Sequence, residues 1–175
     1  MTRVALVRID DRLIHGQVVV KWLRYLDCSE ILIVDNELWR DDFMHNVLRL
    51  AAPPSVRVQV APVQQAAEHL QLLDNAKGDD RRRSLVLLRS PQAALQLFDG
   101  GFHFSQLNVG GLAAGPDSIR LYKSVSANAD QITALDELRN RGVRVYFQTV
   151  PDERAAEMSQ LLPAACQRRC SLADP

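Results

Sequence analysis

Near the start of the chain, in "VRIDDRLIHGQVVVKWL", Asp10, Asp11, Arg12 and His15 fall within one short segment, with Gly16 behind the histidine and an apolar run after it. Imidazole titrates near neutrality, so a neutral His15 can act as a nucleophile, and a neighbouring carboxylate, Asp10 or Asp11, can fix its tautomer. Arg12 offers a planar fork for the oxygens of an anion. Gly16 leaves backbone uncovered where such a group would approach. Together these side chains describe the handling of a phosphoryl group on histidine. The plainer alternatives are a hydrogen-bonded structural histidine and a solvated loop whose Asp10–Arg12 ion pair is worth at most about 1 kcal/mol. A metal is not implied: His45, His69 and His103 are distant from His15, and there is neither a CxxC pair nor an HExxH motif. No cofactor is called for.

The elements that must position this loop are short β-branched runs alternating with stretches of helical period, the pattern of a βαβ fold. "RVALVRI" (3–9) reads as the first strand, and Val18, Val19, Trp22, Leu23 and Leu26 give a helix over about 17–26. Strands follow at 30–35, 56–61, 85–88, 105–112 and 143–150, with one or two short ones in 117–126. Helices are expected at 40–51, stopped by Pro53 and Pro54, at 63–74, from Pro91 to Gly100, from Asn128 to Gly142, and at 152–162. Asn128 with Gln131 three residues on reads as a capping box. The expected fold is a single α/β domain (1–163) with a mostly parallel central sheet flanked by helices on both faces, and a loose tail (164–175). "DNAKGDDRRRS" (74–84) is read as a surface loop.

In such a sheet, ligands sit beyond the C-terminal ends of the strands at the topological switch point. The loop 10–16 follows a strand and leads into a helix, whose N-terminal N–H groups favour an anion. The chain of 175 residues balances 21 basic against 21 acidic residues, so no global positive field draws it to nucleic acid or anionic membrane. Lysine stands only at Lys21, Lys77 and Lys123, which leaves arginine as the main cation. The cysteines Cys28, Cys166 and Cys170 suggest no disulfide framework, and no apolar run approaches the roughly 18 residues of a membrane span. A reduced, cytoplasmic protein without a signal peptide is the simplest expectation.

"VRIDDRLIHGQV" resembles the signature of the IIB component of the bacterial phosphoenolpyruvate-dependent sugar phosphotransferase system, mannose/fructose/sorbose family. "AAPPSVRVQVAPV", "LFDGG" and "LNVGGL" resemble later segments of the same family, so the likeness covers about residues 3–162. It implies that His15 accepts a phosphoryl group on Nδ1 from a phosphohistidine of the IIA component. His15 would then pass it to a sugar held by the membrane components IIC and IID. Arg12 matches the family's phosphoryl-stabilising arginine, and Asp10 would lie beside it. With Arg12 and Asp10 as catalytic partners of His15, the phosphate-binding set is expected to be Gly16, Gln17, Arg8, Arg89 and Ser90. The protein would sit at the inner face of the membrane through its partners, and homo-oligomerisation is left open.

The chain departs from the family after the fourth strand, where "RSP" places Arg89 and Ser90 at the sheet edge, and after Gly111, where it reads "AAGPDSIRLYKS". Arg89 either adds charge to the phosphate site or points to solvent. Ser126 either sits near the site or begins the following helix, and serine is a common N-cap. Two further readings stay open: a regulatory protein of the same fold whose phosphorylation state controls partner binding, and a non-covalent anion-binding module.

Overall fold

The structure, a computed structural model, describes residues 3–16, 18–75 and 83–161. Gln17, most of the loop 74–84 and the tail 164–175 therefore lie outside the described residues. β1 (Val4–Asp10), β2 (Glu30–Val34), β3 (Arg57–Ala61), β4 (Ser84–Leu88), β5 (Gln106–Gly111) and β8 (Arg144–Phe147) pair in parallel, and β9 (Ala156–Glu157) closes one edge antiparallel to β8. Their order is β3-β2-β4-β1-β5-β8-β9. A separate antiparallel pair, β6 (Ile119–Tyr122) and β7 (Val125–Ala127), is tied behind β5 through Ser126 N–H to the Leu112 carbonyl at 2.9 Å.

The central strands are apolar on both faces, which is what burial between two helical layers requires. On one face, Leu6, Ile31, Ile33, Leu85 and Leu87 pack against Trp22, Leu23 and Leu26 of the first helical segment and Leu48 of α2 (Asp42–Ala51). On the other, Val7, Ile9, Leu32, Val34, Val86 and Leu88 meet α3 (Val63–Asn75), α4 (Pro91–Asp99) and α5 (Ala129–Asn140). Before α2, a short 3-10 turn runs over Leu38–Arg40.

The first helical segment differs from a plain α-helix: Val18–Trp22 forms a π-helical turn that passes into α1 (Leu23–Leu26). Such wide turns recur near functional sites. The expected helix at 152–162 is corrected as well. Its middle is β9, held on the edge of β8 by Tyr146↔Glu157 and Phe147↔Ala156, and helical residues begin only at 158. Sheet pairing overrides local helical composition there.

α5 starts as its sequence dictates. The Asn128 side chain accepts from Gln131 N–H, and the Gln131 side chain accepts from Asn128 N–H. Ser126 is in β7 and nearly buried, so it is not the cap.

The topology fixes where a ligand can enter. β1 and β5 are neighbours, yet the chain leaves β1 towards α1 on one face, while α5, the next helix after β5, lies on the other. This is the switch point at which the loops after two adjacent strands diverge and leave a crevice.

Candidate functional site

β1 ends in the crevice with Arg8 and Asp10 facing the α1 layer. Both are fully buried. After Asp10 the chain turns tightly, with Leu13 N–H donating to the Asp10 carbonyl at 2.9 Å. Leu13 itself has φ 55°, a left-handed conformation a branched side chain rarely takes. The burial of Leu13 and Ile14 in the core holds this turn. It brings the histidine back over the end of the strand that precedes it.

His15 Nε2 then lies 3.1 Å from Asp10 Oδ2. The same oxygen accepts from Arg8 Nη2 at 2.7 Å, while Asp10 Oδ1 accepts from Arg12 Nε at 3.1 Å. Burial alone would push the Asp10 carboxyl up. Hydrogen bonds from His15 and Arg12 and the charge of Arg8 outweigh it and hold the group well below the usual carboxylate range. An ionised Asp10 can only accept, so neutral His15 carries its proton on Nε2 and its lone pair on Nδ1. Nδ1 makes no hydrogen bond among the described residues. The imidazole is partly exposed and the Arg12 side chain about half exposed, at 47%.

The floor of the site is built by the glycines at the end of β5. A Cβ on Gly111 would stand 2.8 Å from Asp10 Oδ1 and 3.0 Å from Arg12 Nη2, and one on Gly110 would fall inside the Arg8 guanidinium. Here the absence of a side chain lets charged groups pass. Ser124 Oγ donates to the Gly110 carbonyl at 2.9 Å and reaches Thr149 Oγ1 at 3.4 Å.

The structure divides the residues expected at the site. His15, Arg12 and Asp10 come together, and the orienting carboxylate is Asp10 rather than Asp11. The Asp11 carboxylate instead accepts from Ala113 N–H at 2.7 Å and ties the loop after β5. Arg8 corrects the expectation of a phosphate contact: it has no exposed surface, and its Nη atoms are engaged by Asp10, Asn108 and the Gln148 and Thr149 carbonyls. Gly16 stands in open space, with nothing within 4 Å of a Cβ placed on it.

Arg89 and Ser90 line an adjacent crevice with Asp11, Asp35 and Asn36. Arg89 pairs with Asp35 at 3.6 Å, and Ser90 Oγ caps α4 by accepting from Ala93 N–H at 3.2 Å. Asn108, Gly110, Gly111 and Thr149 escaped the sequence reading as site residues. The "NVGG" run that ends β5 was the available signal.

Among the described residues, no group of three or more His, Cys, Asp or Glu side chains could hold a metal ion, and no helix is long and apolar enough to cross a membrane. Fold and site thus define a doubly wound α/β protein whose switch-point crevice presents one free imidazole nitrogen beside an arginine, the equipment of group transfer to and from an anion.

Residues 4–171 match the model of the family described as PTS system sorbose subfamily IIB component. The chain is 31% identical to the sorbose-specific EIIB component of Lacticaseibacillus casei, over 89% of this chain and 92% of that one. It is also 31% identical to the mannose-specific EIIAB component of Escherichia coli K12, over 91% of this chain and 48% of that longer protein. The crystal structure of manxB from Thermoanaerobacter tengcongensis superposes with a TM-score of 0.81 at 34% identity, covering 91% of this chain and 95% of that one. The chain belongs to the sorbose subfamily of IIB components of the phosphotransferase system, and it is a phosphotransferase component. These likenesses give the regulatory alternative no support.

Proposed function

We propose that His15 is the phosphoryl carrier, taking phosphate from a phosphohistidine on a IIA component and giving it to a sugar of the mannose/fructose/sorbose class held by membrane components IIC and IID. The observation that supports this most is the engagement of His15 Nε2 by Asp10, which leaves Nδ1 as the nucleophile beside Arg12. In the first step the Nδ1 lone pair bonds to phosphorus as the nitrogen–phosphorus bond of the donor breaks and the donor imidazole leaves. The positive charge that develops on the His15 ring is stabilised by Asp10 through the retained Nε2–H. In the second step a sugar hydroxyl oxygen takes the phosphorus, the His15 bond breaks, and the hydroxyl proton is lost to the acceptor site. Catalysis of this kind is positioning and charge stabilisation.

Arg12, half exposed, is the residue able to reach the transferring oxygens, with Gly16 leaving room above the histidine. Arg89 stands at the neighbouring strand end, where Asp35 already pairs its charge. Ser90 serves chiefly to cap α4. The mannose relative carries its A and B parts in one chain, which fits a IIA donor for this one. Docking is transient and salt-sensitive, as a relay demands, with the protein at the cytoplasmic face of the membrane through its partners.

The test is incubation with phosphoenolpyruvate, enzyme I, the phosphocarrier protein and a matching IIA, followed by intact-mass analysis. Wild type gains one acid-labile phosphate, and His15→Gln gains none. A IIA shown to be phosphorylated that transfers nothing to wild type overturns the proposal.

A further inference from the structure

Asp10 has two arginines, and their surroundings are opposite. Arg12 is half exposed and donates to both oxygens, from Nε to Oδ1 at 3.1 Å and from Nη2 to Oδ2 at 3.3 Å, whereas Arg8 is fully buried and holds Oδ2 at the shorter distance of 2.7 Å, the oxygen that also takes the His15 Nε2–H. A mobile arginine that turns to an incoming anion must let go of its carboxylate. If Arg12 were the sole countercharge, that movement would strand a buried anion, and a buried anion without a partner takes a proton or swings to another donor.

Arg8 cannot make that movement. Its Nη1 donates to Asn108 Oδ1 and, at 3.0 Å, to the Gln148 carbonyl, and Nη2 lies 3.3 Å from the Thr149 carbonyl. The Trp22 ring covers the guanidinium at 5.1 Å, and Trp22 Nε1 donates to the same Thr149 carbonyl at 2.9 Å. Gly110 leaves the space the guanidinium occupies. Arg8 Nε has no hydrogen-bond partner among the described residues, so the side chain is held by its terminal nitrogens.

Resting on the carrier reading above, we propose that Arg8 is a positioning residue: a fixed, buried countercharge that keeps Asp10 locked on His15 Nε2 while Arg12 leaves Asp10 for the phosphoryl group. When Arg12 leaves, Oδ1 loses its side-chain donor and Oδ2 gives up only the longer Arg12 contact, keeping Arg8 and His15. His15 therefore presents Nδ1 in one orientation before, during and after transfer. Arg8 never touches the reacting atoms.

The inference is tested on the full chain, uniformly nitrogen-15 and carbon-13 labelled, by nuclear magnetic resonance of the His15 ring and by the rate of phosphoryl transfer from phosphorylated IIA. In wild type, His15 is the Nε2–H tautomer with a slowly exchanging ring proton. Arg8→Met loses that slow exchange and transfers on the order of 100-fold more slowly, the scale of an ångström-sized misplacement. Arg8→Lys, which restores the charge, recovers part of both. Gly110→Ala, whose methyl displaces the guanidinium without removing a charge, moves both in the direction of Arg8→Met.

A folded Arg8→Met or Gly110→Ala protein with the wild-type ring spectrum and a rate within about twofold of wild type overturns the inference. Should neither variant fold, wild type decides it: an Nδ1–H tautomer, or an Asp10 carboxylate that titrates in the ordinary range by carbon-13 shift, overturns it. Failure of wild type to accept phosphate removes the carrier reading instead, because the ring spectra need no donor and still show whether Arg8 holds His15.

Discussion

Replacing Asp10 by Asn keeps the shape of the side chain and removes its charge. Arg8 then remains buried without its anion, and Arg12 and His15 lose a charged acceptor. Breaking a buried pair from one side costs about 3–5 kcal/mol, and since the amide oxygen can still accept, the lower end, about 3 kcal/mol, applies. In a domain of this size each kcal/mol moves the melting temperature by about 2–4 °C, so the fall is roughly 6–12 °C at pH 7. The pH dependence gives a second handle. The native Asp10 pKa lies below its unfolded value of about 3.9, so its contribution is complete above that value and is lost as pH falls through the native one. Calorimetric melts of wild type and Asp10→Asn from pH 7 to pH 3 therefore differ most near neutrality and draw together in acid. A variant that melts within about 2 °C of wild type at pH 7, or a gap undiminished at pH 3, would refute the argument from buried charge.

Gly111→Ala places a methyl against Asp10 Oδ1 and Arg12 Nη2, so phosphoryl acceptance by His15 falls at least about tenfold in a transfer assay while most of the fold's stability remains. Asn128→Ala removes the acceptor for Gln131 N–H and lowers stability by about 1 kcal/mol in urea denaturation, with no change in transfer rate. Burial pushes the Cys28 thiol up to about 12, so peptide mapping after thiol labelling at pH 8 finds Cys28 unmodified in the native protein and modified in urea.

Where local chemistry decides the structure, the sequence can be read. Pro91 behind the Ser90 cap, the Asn128–Gln131 box and the glycine after α5 mark helix ends because each satisfies backbone groups within a few residues. The apolar strands announce a sheet covered on both faces. His15, Arg12 and Asp10 could be proposed together because one turn brings them together. Arg8 could not be read in the same way. A cation on a strand leading to a charged loop looks like part of the ligand site, and besides Asp10 the groups that hold it in place, Asn108 and the Gln148 carbonyl, lie 100 residues and more away. β9 was hidden for a related reason: its two residues are strand only because β8 offers them an edge. Asp10 and Asp11 are chemically identical, yet Asp10, the last residue of β1, faces inward to the histidine, and Asp11, in the turn beyond the strand, accepts from Ala113 N–H.

The two halves of the sheet, β3-β2-β4-β1 and β5-β8-β9, meet along a short join running from Arg8↔Asn108 through Ile9↔Val109 to Asp10↔Gly111. Two of those pairs carry the charges that set His15. The proposed carrier is thus set against the clasp between the halves, and a change of charge on its ring would be felt first by Asp10 and Arg8, which stand on that join. Chemistry and architecture share the same few residues at this join, so a mutation that loosens one loosens the other, and the clasp cannot drift in sequence without the relay drifting with it.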